Sequence, residues 1–222
     1  MKLITGFCAA IIVLLSCSSN EKEGTGSVQN AEKTSDTAAT KKTILFFGNS
    51  LTAGYGLSAE EAFPALIQEK IDSLGLPYMV INAGVSGETS SGGDSRIDWI
   101  LRQRVDVFVL ELGANDGLRG IPVSQTKQSL QSIITKVKTK YPKAVIVLAG
   151  MQIPPNMGRT YITAFKEMFP ALAKENDATL IPFILEGVGG EARFNQQDGI
   201  HPTAEGHRIV TENIWSELKN LL

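Results

Sequence analysis

Asp198-Gly199-Ile200-His201-Pro202 puts a carboxylate three residues before one of only two histidines in the chain. Far upstream, Gly48-Asn49-Ser50-Leu51 follows the apolar run Ile44-Leu45-Phe46-Phe47 and sets a serine where a strand should end. A serine hydroxyl is a poor nucleophile at neutral pH and needs a base to take its proton as it attacks. Histidine suits that task, its ordinary pKa being about 6.5. His201 and His207 are the two choices. Asp198 can bend back through the glycine-containing turn to one ring nitrogen of His201, fixing its tautomer and stabilising the imidazolium. His207 falls inside the last predicted helix, after Gly206, and reads as a surface or packing residue. Ser50 with Asp198 and His201 therefore points to nucleophilic acyl transfer.

Acyl transfer also needs donors aimed at the oxyanion that develops on the carbonyl. Three are available: the backbone N–H of Ser50, that of Gly87 in a glycine-rich loop where backbone can approach a substrate closely, and the carboxamide of Asn115. Each motif alone has an ordinary explanation. Gly-Asn-Ser after a strand is a turn, Asn115-Asp116-Gly117 is a turn signal, and Asp-x-x-His occurs by chance. The segment from Gly84 to Gly93 lacks the G-x-G-x-x-G and G-K-[ST] patterns of phosphate cradles. Their appearance in order, each after a predicted strand, favours the catalytic reading.

The elements that must position these residues are legible from Thr43 onward. Ile44 to Phe47, Tyr78 to Asn82, Val105 to Leu112, Ala144 to Ala149 and Leu180 to Phe183 read as five strands, Pro182 marking an edge or a strand end. Between them lie helical patterns: Phe63, Leu66, Ile67, Ile71 and Leu74 after a capping box at Ser58–Glu61; Arg96 to Gln103; Leu130, Ile133, Ile134 and Val137; Tyr161 to Lys174. Val210, Ile214, Leu218 and Leu221 mark a final helix. Continuous apolar strands alternating with helices call for a parallel sheet covered on both faces. In such sheets the site forms outside the carboxyl ends of the strands, which is where every polar motif falls.

The 222 residues, 43% hydrophobic and 20% charged, suffice for one domain with a sizeable core. A net charge of −2 offers no basic surplus for nucleic acid. Residues 1–16 read as a signal segment, with an apolar run from Phe7 to Leu15 too short to span a bilayer stably. Leu14-Leu15-Ser16-Cys17 resembles a bacterial lipoprotein signal, which implies cleavage before Cys17 and lipid attachment there. The alternatives are an ordinary signal peptide or an uncleaved anchor. Residues 17–42 are polar and read as a tether, leaving residues 43–222 as the domain. Such a protein is expected to be an exported bacterial lipoprotein, membrane-anchored, in the periplasm or at the outer membrane. Cys8 and Cys17 are the only cysteines, so the domain holds no thiol and no metal site is expected.

The four blocks around Ser50, Gly87, Asn115 and Asp198-x-x-His201 resemble those of the GDSL or SGNH hydrolases. Gly54-Tyr55, Phe63-Pro64-Ala65-Leu66, Glu111-Leu112-Gly113, Asn115 to Gly120 and Met151-Gln152-Ile153 are similar to the branch of acyl-CoA thioesterases, lysophospholipases and arylesterases. The resemblance implies a flavodoxin-like three-layer α/β/α sandwich on five parallel strands. It implies Ser50 as nucleophile, Asp198 and His201 completing a triad, and Ser50, Gly87 and Asn115 as the oxyanion hole, with no cofactor. Two positions depart from the pattern: Asn49 stands where the family usually has Asp, and Met157 where the branch often has an aromatic. The expected activity is hydrolysis of carboxylic esters or thioesters through an acyl-serine. The expected substrates are small acyl esters or lysophospholipids. The rival readings are a glycan O-acetyl esterase on the same scaffold and a non-catalytic lipoprotein that binds acyl or cell-wall material. Oligomeric state is not legible.

Overall fold

A computed structural model describes residues 41–222. The expected signal segment, Cys17 and all but the end of the tether lie outside the described residues. Five parallel strands form one sheet: β1 (Lys42–Gly48), β2 (Tyr78–Gly84), β3 (Val107–Glu111), β4 (Val145–Ala149) and β5 (Thr179–Ile181), in the order β2-β1-β3-β4-β5. The helices are α1 (Ser50–Ala53), α2 (Phe63–Ser73), α3 (Ser90–Ile100), α4 (Ala114–Leu118), α5 (Val123–Lys140), α6 (Arg159–Glu175) and α7 (Ala204–Leu218). Helices α2 and α7 pack together on one face; α3, α5 and α6 pack in turn on the other. This is the expected α/β/α sandwich.

The contiguous apolar strands are explained by burial on both faces. Phe46 points toward α2 and meets Phe63 edge-on at 5.4 Å, whereas Phe47 points the other way and meets Phe108 at 5.7 Å. All four are fully buried, each contributing about 1.5–3 kcal/mol of transfer free energy. β5 is a three-residue edge strand, and Pro182 follows it at once, where its missing N–H interrupts no ladder.

Three local expectations are corrected. Leu74 is not part of the α2 stripe: it caps the helix C-terminus and is 62% exposed, because Gly75 (φ 62°) turns the chain away. The Ser58–Glu61 box forms, with Ser58 N–H and Oγ donating to Glu61 at 3.1 and 3.0 Å, but it caps a single 3-10 turn ahead of α2. Helix α3 starts at Ser90 rather than near Arg96, so Gly92 and Gly93 are helical. Gly93 is there for closeness: a Cβ on it would lie 2.4 Å from Leu112 and 3.0 Å from Phe47.

The strand order reverses between β1 and β3, whose crossover connections leave on opposite faces. Such a switch point opens a crevice at the carboxyl edge of the sheet. Gly84, Gly48 and Glu111 end up side by side at the tips of β2, β1 and β3.

Candidate active site

Ser50 opens α1 immediately beyond β1. Asn49 caps that helix, its Oδ1 accepting from Leu51 N–H at 2.9 Å and from Ser50 Oγ at 3.4 Å. The serine is brought to His201 across 151 positions of sequence, with Oγ 2.9 Å from Nε2. His201 Nδ1 lies 2.7 Å from Asp198 Oδ2. The other oxygen of Asp198 accepts from the backbone N–H of Ile200 and of His201, both at 3.0 Å. Gly199 (φ 74°) supplies the left-handed residue that lets the carboxylate fold back on its own chain. The hydrogen bond from His201, then those two N–H groups, hold the Asp198 carboxyl down at about 2. It is therefore anionic across ordinary working pH, as the partner of an imidazolium must be.

The histidine loop is fastened to the serine side by Gln196. Its N–H donates to His201 O at 2.7 Å, and its Nε2 donates to Tyr55 O at 2.7 Å and Pro202 O at 3.0 Å. Tyr55 lays its ring over the His201 imidazole, centroids 4.5 Å apart. An isolated bridge between Asn195 and Pro202 closes the base of the loop.

Gly87 lies in the loop between β2 and α3 with φ 79°. Four neighbours fix this loop. Arg96 donates to both carboxylate oxygens of Glu88 at 2.6 Å and to Ala83 O at 2.7 Å, while its guanidinium covers the Phe47 ring at 4.0 Å. Asn115 Nδ2 donates to Glu88 O at 2.9 Å, which engages one of its two amide hydrogens. Asp116, 1% exposed, accepts from Ser90 N–H at 2.9 Å and Ser90 Oγ at 2.5 Å. Arg119 adds a bond to Gly87 O at 3.0 Å. Neither Ser50 N–H nor Gly87 N–H has a partner among the described residues.

Ser50, Gly87, Asn115 and His201 all line one pocket of about 490 Å³. Its remaining walls are largely apolar, with Leu51, Leu118, Met151, Ile153, Pro154 and Pro155 among them. Leu57 and Met157 do not line it. Met157 instead lies near Gly120, where a Cβ would meet its methyl at 3.4 Å. His207 is buried: its Nδ1 accepts from Phe63 N–H at 3.0 Å and its ring stacks on Phe63, a packing role away from Ser50. Burial first of all holds its imidazole down at about 4.

Sequence reasoning passed over Glu88, Arg96 and Asp116 as site residues, and Glu111 above all. Glu111 is 1% exposed and accepts from Asn49 N–H, Asn49 Nδ2 and Thr52 Oγ1 at 3.1, 2.8 and 2.8 Å. Burial pushes its carboxyl up to about 7, against the pull of Thr52 and Asn49. The one available signal was a carboxylate closing an otherwise apolar strand, a residue that burial tolerates only with partners.

Comparison with known proteins gives a consistent result. The family model for GDSL-like lipases and acylhydrolases matches residues 46–209. The chain is 40% identical to Esterase TesA of Pseudomonas aeruginosa over 185 residues, covering 83% of this chain and 91% of the relative. It is 40% identical to the Thioesterase 1/protease 1/lysophospholipase L1 of Escherichia coli strain K12 over 186 residues, 83% of this chain and 87% of that one. The crystal structure of the psychrotrophic esterase EstA from Pseudoalteromonas sp., inhibited by monoethylphosphonate, superposes with a TM-score of 0.77. It is 34% identical and covers 82% of this chain and 98% of that one.

Proposed function

The chain belongs to the GDSL-like lipase/acylhydrolase family and is an ester and thioester hydrolase; from that premise we propose that Ser50 is its nucleophile. In this reading Asp198 and His201 complete the triad, and the N–H groups of Ser50 and Gly87 with the Asn115 carboxamide receive the oxyanion. The observation that carries the assignment is the continuous relay Asp198–His201–Ser50, 2.7 and 2.9 Å at its two links, at the mouth of an apolar pocket.

The chemistry follows from that geometry. His201 Nε2 takes the Ser50 proton as Oγ attacks the carbonyl carbon, and the carbonyl oxygen becomes the oxyanion. Asp198, anionic and fixed by two backbone N–H groups, stabilises the imidazolium. The imidazolium then protonates the departing alcohol or thiol, leaving an acyl-serine. Water, deprotonated by His201, attacks the acyl-serine; collapse of the second tetrahedral species returns the proton to Ser50 and releases the acid. A single misplaced oxyanion donor would cost about 10²–10³ in turnover, which gives the ties on the Gly87 loop their importance.

The pocket lining supports acyl chains or aryl esters as substrates, and it disfavours the open polar groove that a glycan O-acetyl esterase would need. Lysophospholipid is included in the reading, supported by a relative whose name carries that activity. The N-terminal pattern ending at Cys17 supports placing the enzyme at a membrane as an exported, lipid-anchored protein of the periplasm or outer membrane. The test is a series of p-nitrophenyl esters from acetate to palmitate, with Ser50→Ala as control. Serine-dependent hydrolysis peaking at medium or long chains is the expected result. Activity confined to acetate would replace this substrate reading with the glycan esterase, and hydrolysis surviving in Ser50→Ala would overturn the nucleophile.

A further inference from the structure

Seven large apolar side chains stand exposed among the described residues, and they divide between the two edges of the sheet. Leu74 caps α2, Met79 is the second residue of β2 and Trp99 lies in the last turn of α3. These belong to the amino edge, where strands begin and the crossover helices end. Tyr55, Val85, Leu118 and Ile200 belong to the carboxyl edge, each on a different segment. Tyr55, Leu118 and Ile200 line the pocket, and Val85 immediately precedes Ser86 and Gly87, which also line it. Single exposed apolar side chains are ordinary on a protein surface, but a group of them around an apolar opening marks an interaction site. The two edges also differ in charge. Ion pairs ring the amino edge: Lys41 with Asp72, Lys70 with Glu212, and Arg104 with Asp106. The pocket lining holds no Lys, Arg, Asp or Glu. Arg119, next to Leu118, adds one cation beside the opening.

We propose that the carboxyl edge docks on a phospholipid bilayer, with Tyr55, Val85, Leu118 and Ile200 entering the zone where head groups give way to acyl chains. The inference rests on the reading of the chain as anchored at a membrane through Cys17, and goes beyond it by naming the face turned to the lipid. Two arguments select a lipid surface as the occupant. The first is chemical. The apolar rim is continuous with the apolar pocket, so an acyl chain can pass from one to the other without entering water. Tyrosine suits such a boundary, having an apolar ring and a polar tip, and the Arg119 guanidinium complements lipid phosphate. The second argument is covalent reach. The chain enters the domain at the amino edge, and β1 carries it about 20 Å to the other side. The 24 positions from Cys17 to Lys41 can span up to about 80 Å when extended. An anchor attached on the far edge is therefore long enough for the pocket mouth to face the same bilayer.

The experiment is tryptophan quenching in the full chain bound to phosphatidylcholine vesicles whose acyl chains carry bromine. The native reporters are both at the amino edge. Trp99 ends α3, and Trp215 lies in the last turn of α7 with Lys70 Nζ 5.9 Å from its ring. V85W and I200W each add a third tryptophan at the rim. Brominated lipid should quench the emission that each adds and leave the parent unquenched. Should one variant not fold, the other carries the same readout. Equal quenching of the parent and the variants, or no quenching in vesicle-bound protein, overturns the docking surface and leaves the anchor standing. A chain that does not sediment with vesicles brings down the anchor and this surface with it. Quenching needs no turnover, so it is independent of the role of Ser50. A kinetic arm uses V85D, outside the pocket lining. Hydrolysis of p-nitrophenyl palmitate held in vesicles should fall about tenfold, with soluble p-nitrophenyl acetate cleaved at the parental rate. An equal fall on both esters, or on neither, counts against the proposal. A parent inactive on the palmitate ester even in detergent removes the long-chain substrate reading and leaves quenching to decide the docking.

Discussion

Gly48 and Glu111 face each other across the β1–β3 ladder, so closely that a Cβ on the glycine would lie 2.5 Å from the Glu111 carboxylate and 2.1 Å from Thr52 Oγ1. The glycine is not needed here for an unusual φ; it is needed because three groups converge on the space a side chain would fill. Gly48→Ala should therefore be destabilised by about 1–3 kcal/mol, the usual range for overpacking. It should also lose turnover, because the displaced groups hold the Ser50 turn. Chemical denaturation with parallel kcat measurements checks this; an alanine variant of parental stability and rate would mean that the strand tips yield freely.

Asp198→Asn tests the electrostatic half of the relay. The amide can keep the two backbone bonds through its oxygen but cannot stabilise an imidazolium. It also presents a donor or the wrong acceptor to Nδ1. The expected loss in kcat is about 10⁴-fold, with KM little altered. A variant within about tenfold of the parent would leave His201 without need of its carboxylate.

Arg96→Met probes the loop that carries Gly87. The side chains of Arg96 and Glu88 are only 22% and 7% exposed, so removing the cation strands a mostly buried carboxylate. The cost should be about 3 kcal/mol, accompanied by a fall in kcat larger than any rise in KM. Loss of stability with kcat fully retained would show that the loop keeps its shape without the clamp.

Two buried groups give stability opposite pH slopes. The imidazole of His207 is held down at about 4 from an ordinary 6.5, so its contribution is present above pH 6.5 and is lost as pH falls through 4. The carboxyl of Glu111 is pushed up to about 7 from an ordinary 4.5, so its contribution is present below pH 4.5 and is lost as pH rises through 7. Where the windows overlap the two oppose each other. His207→Gln keeps an acceptor for Phe63 N–H and removes only the first effect. Its melting temperature should then rise as pH is lowered across the Glu111 window, while the parent stays flatter. A variant whose melting temperature follows the parent's across that window would exclude His207 as the source.

The central strands β1, β3 and β4 were legible because each is buried on both faces and shows as an unbroken apolar run, as Ile44 to Phe47 do; the edge strands β2 and β5 are only partly buried. Ser50, Gly87, Asn115, Asp198 and His201 were legible because polar residues at strand ends interrupt that pattern. The start of α3 was not, since glycines at 92 and 93 read as loop until Leu112 and Phe47 are seen pressing against Gly93. Glu111 was hidden for another reason. Its meaning comes wholly from Asn49 and Thr52, about sixty positions away, and only the register of β1 on β3 brings them together. The Arg96 clamp on Glu88 likewise requires the first turns of α3 to exist before the two can meet.

That same register has a kinetic side. The Ser50 turn requires β1 paired with β3, and the Ser50–His201 contact spans 151 positions, beyond β4, β5 and their crossovers. Parallel pairings and contacts of such separation form late, after the loop-closure entropy of each crossover has been overcome. On dilution from denaturant, helical signal should return first, and hydrolytic activity should return only with the last long-range contacts. An immature chain thus carries every side chain of the relay and hydrolyses nothing until the last long-range contact closes.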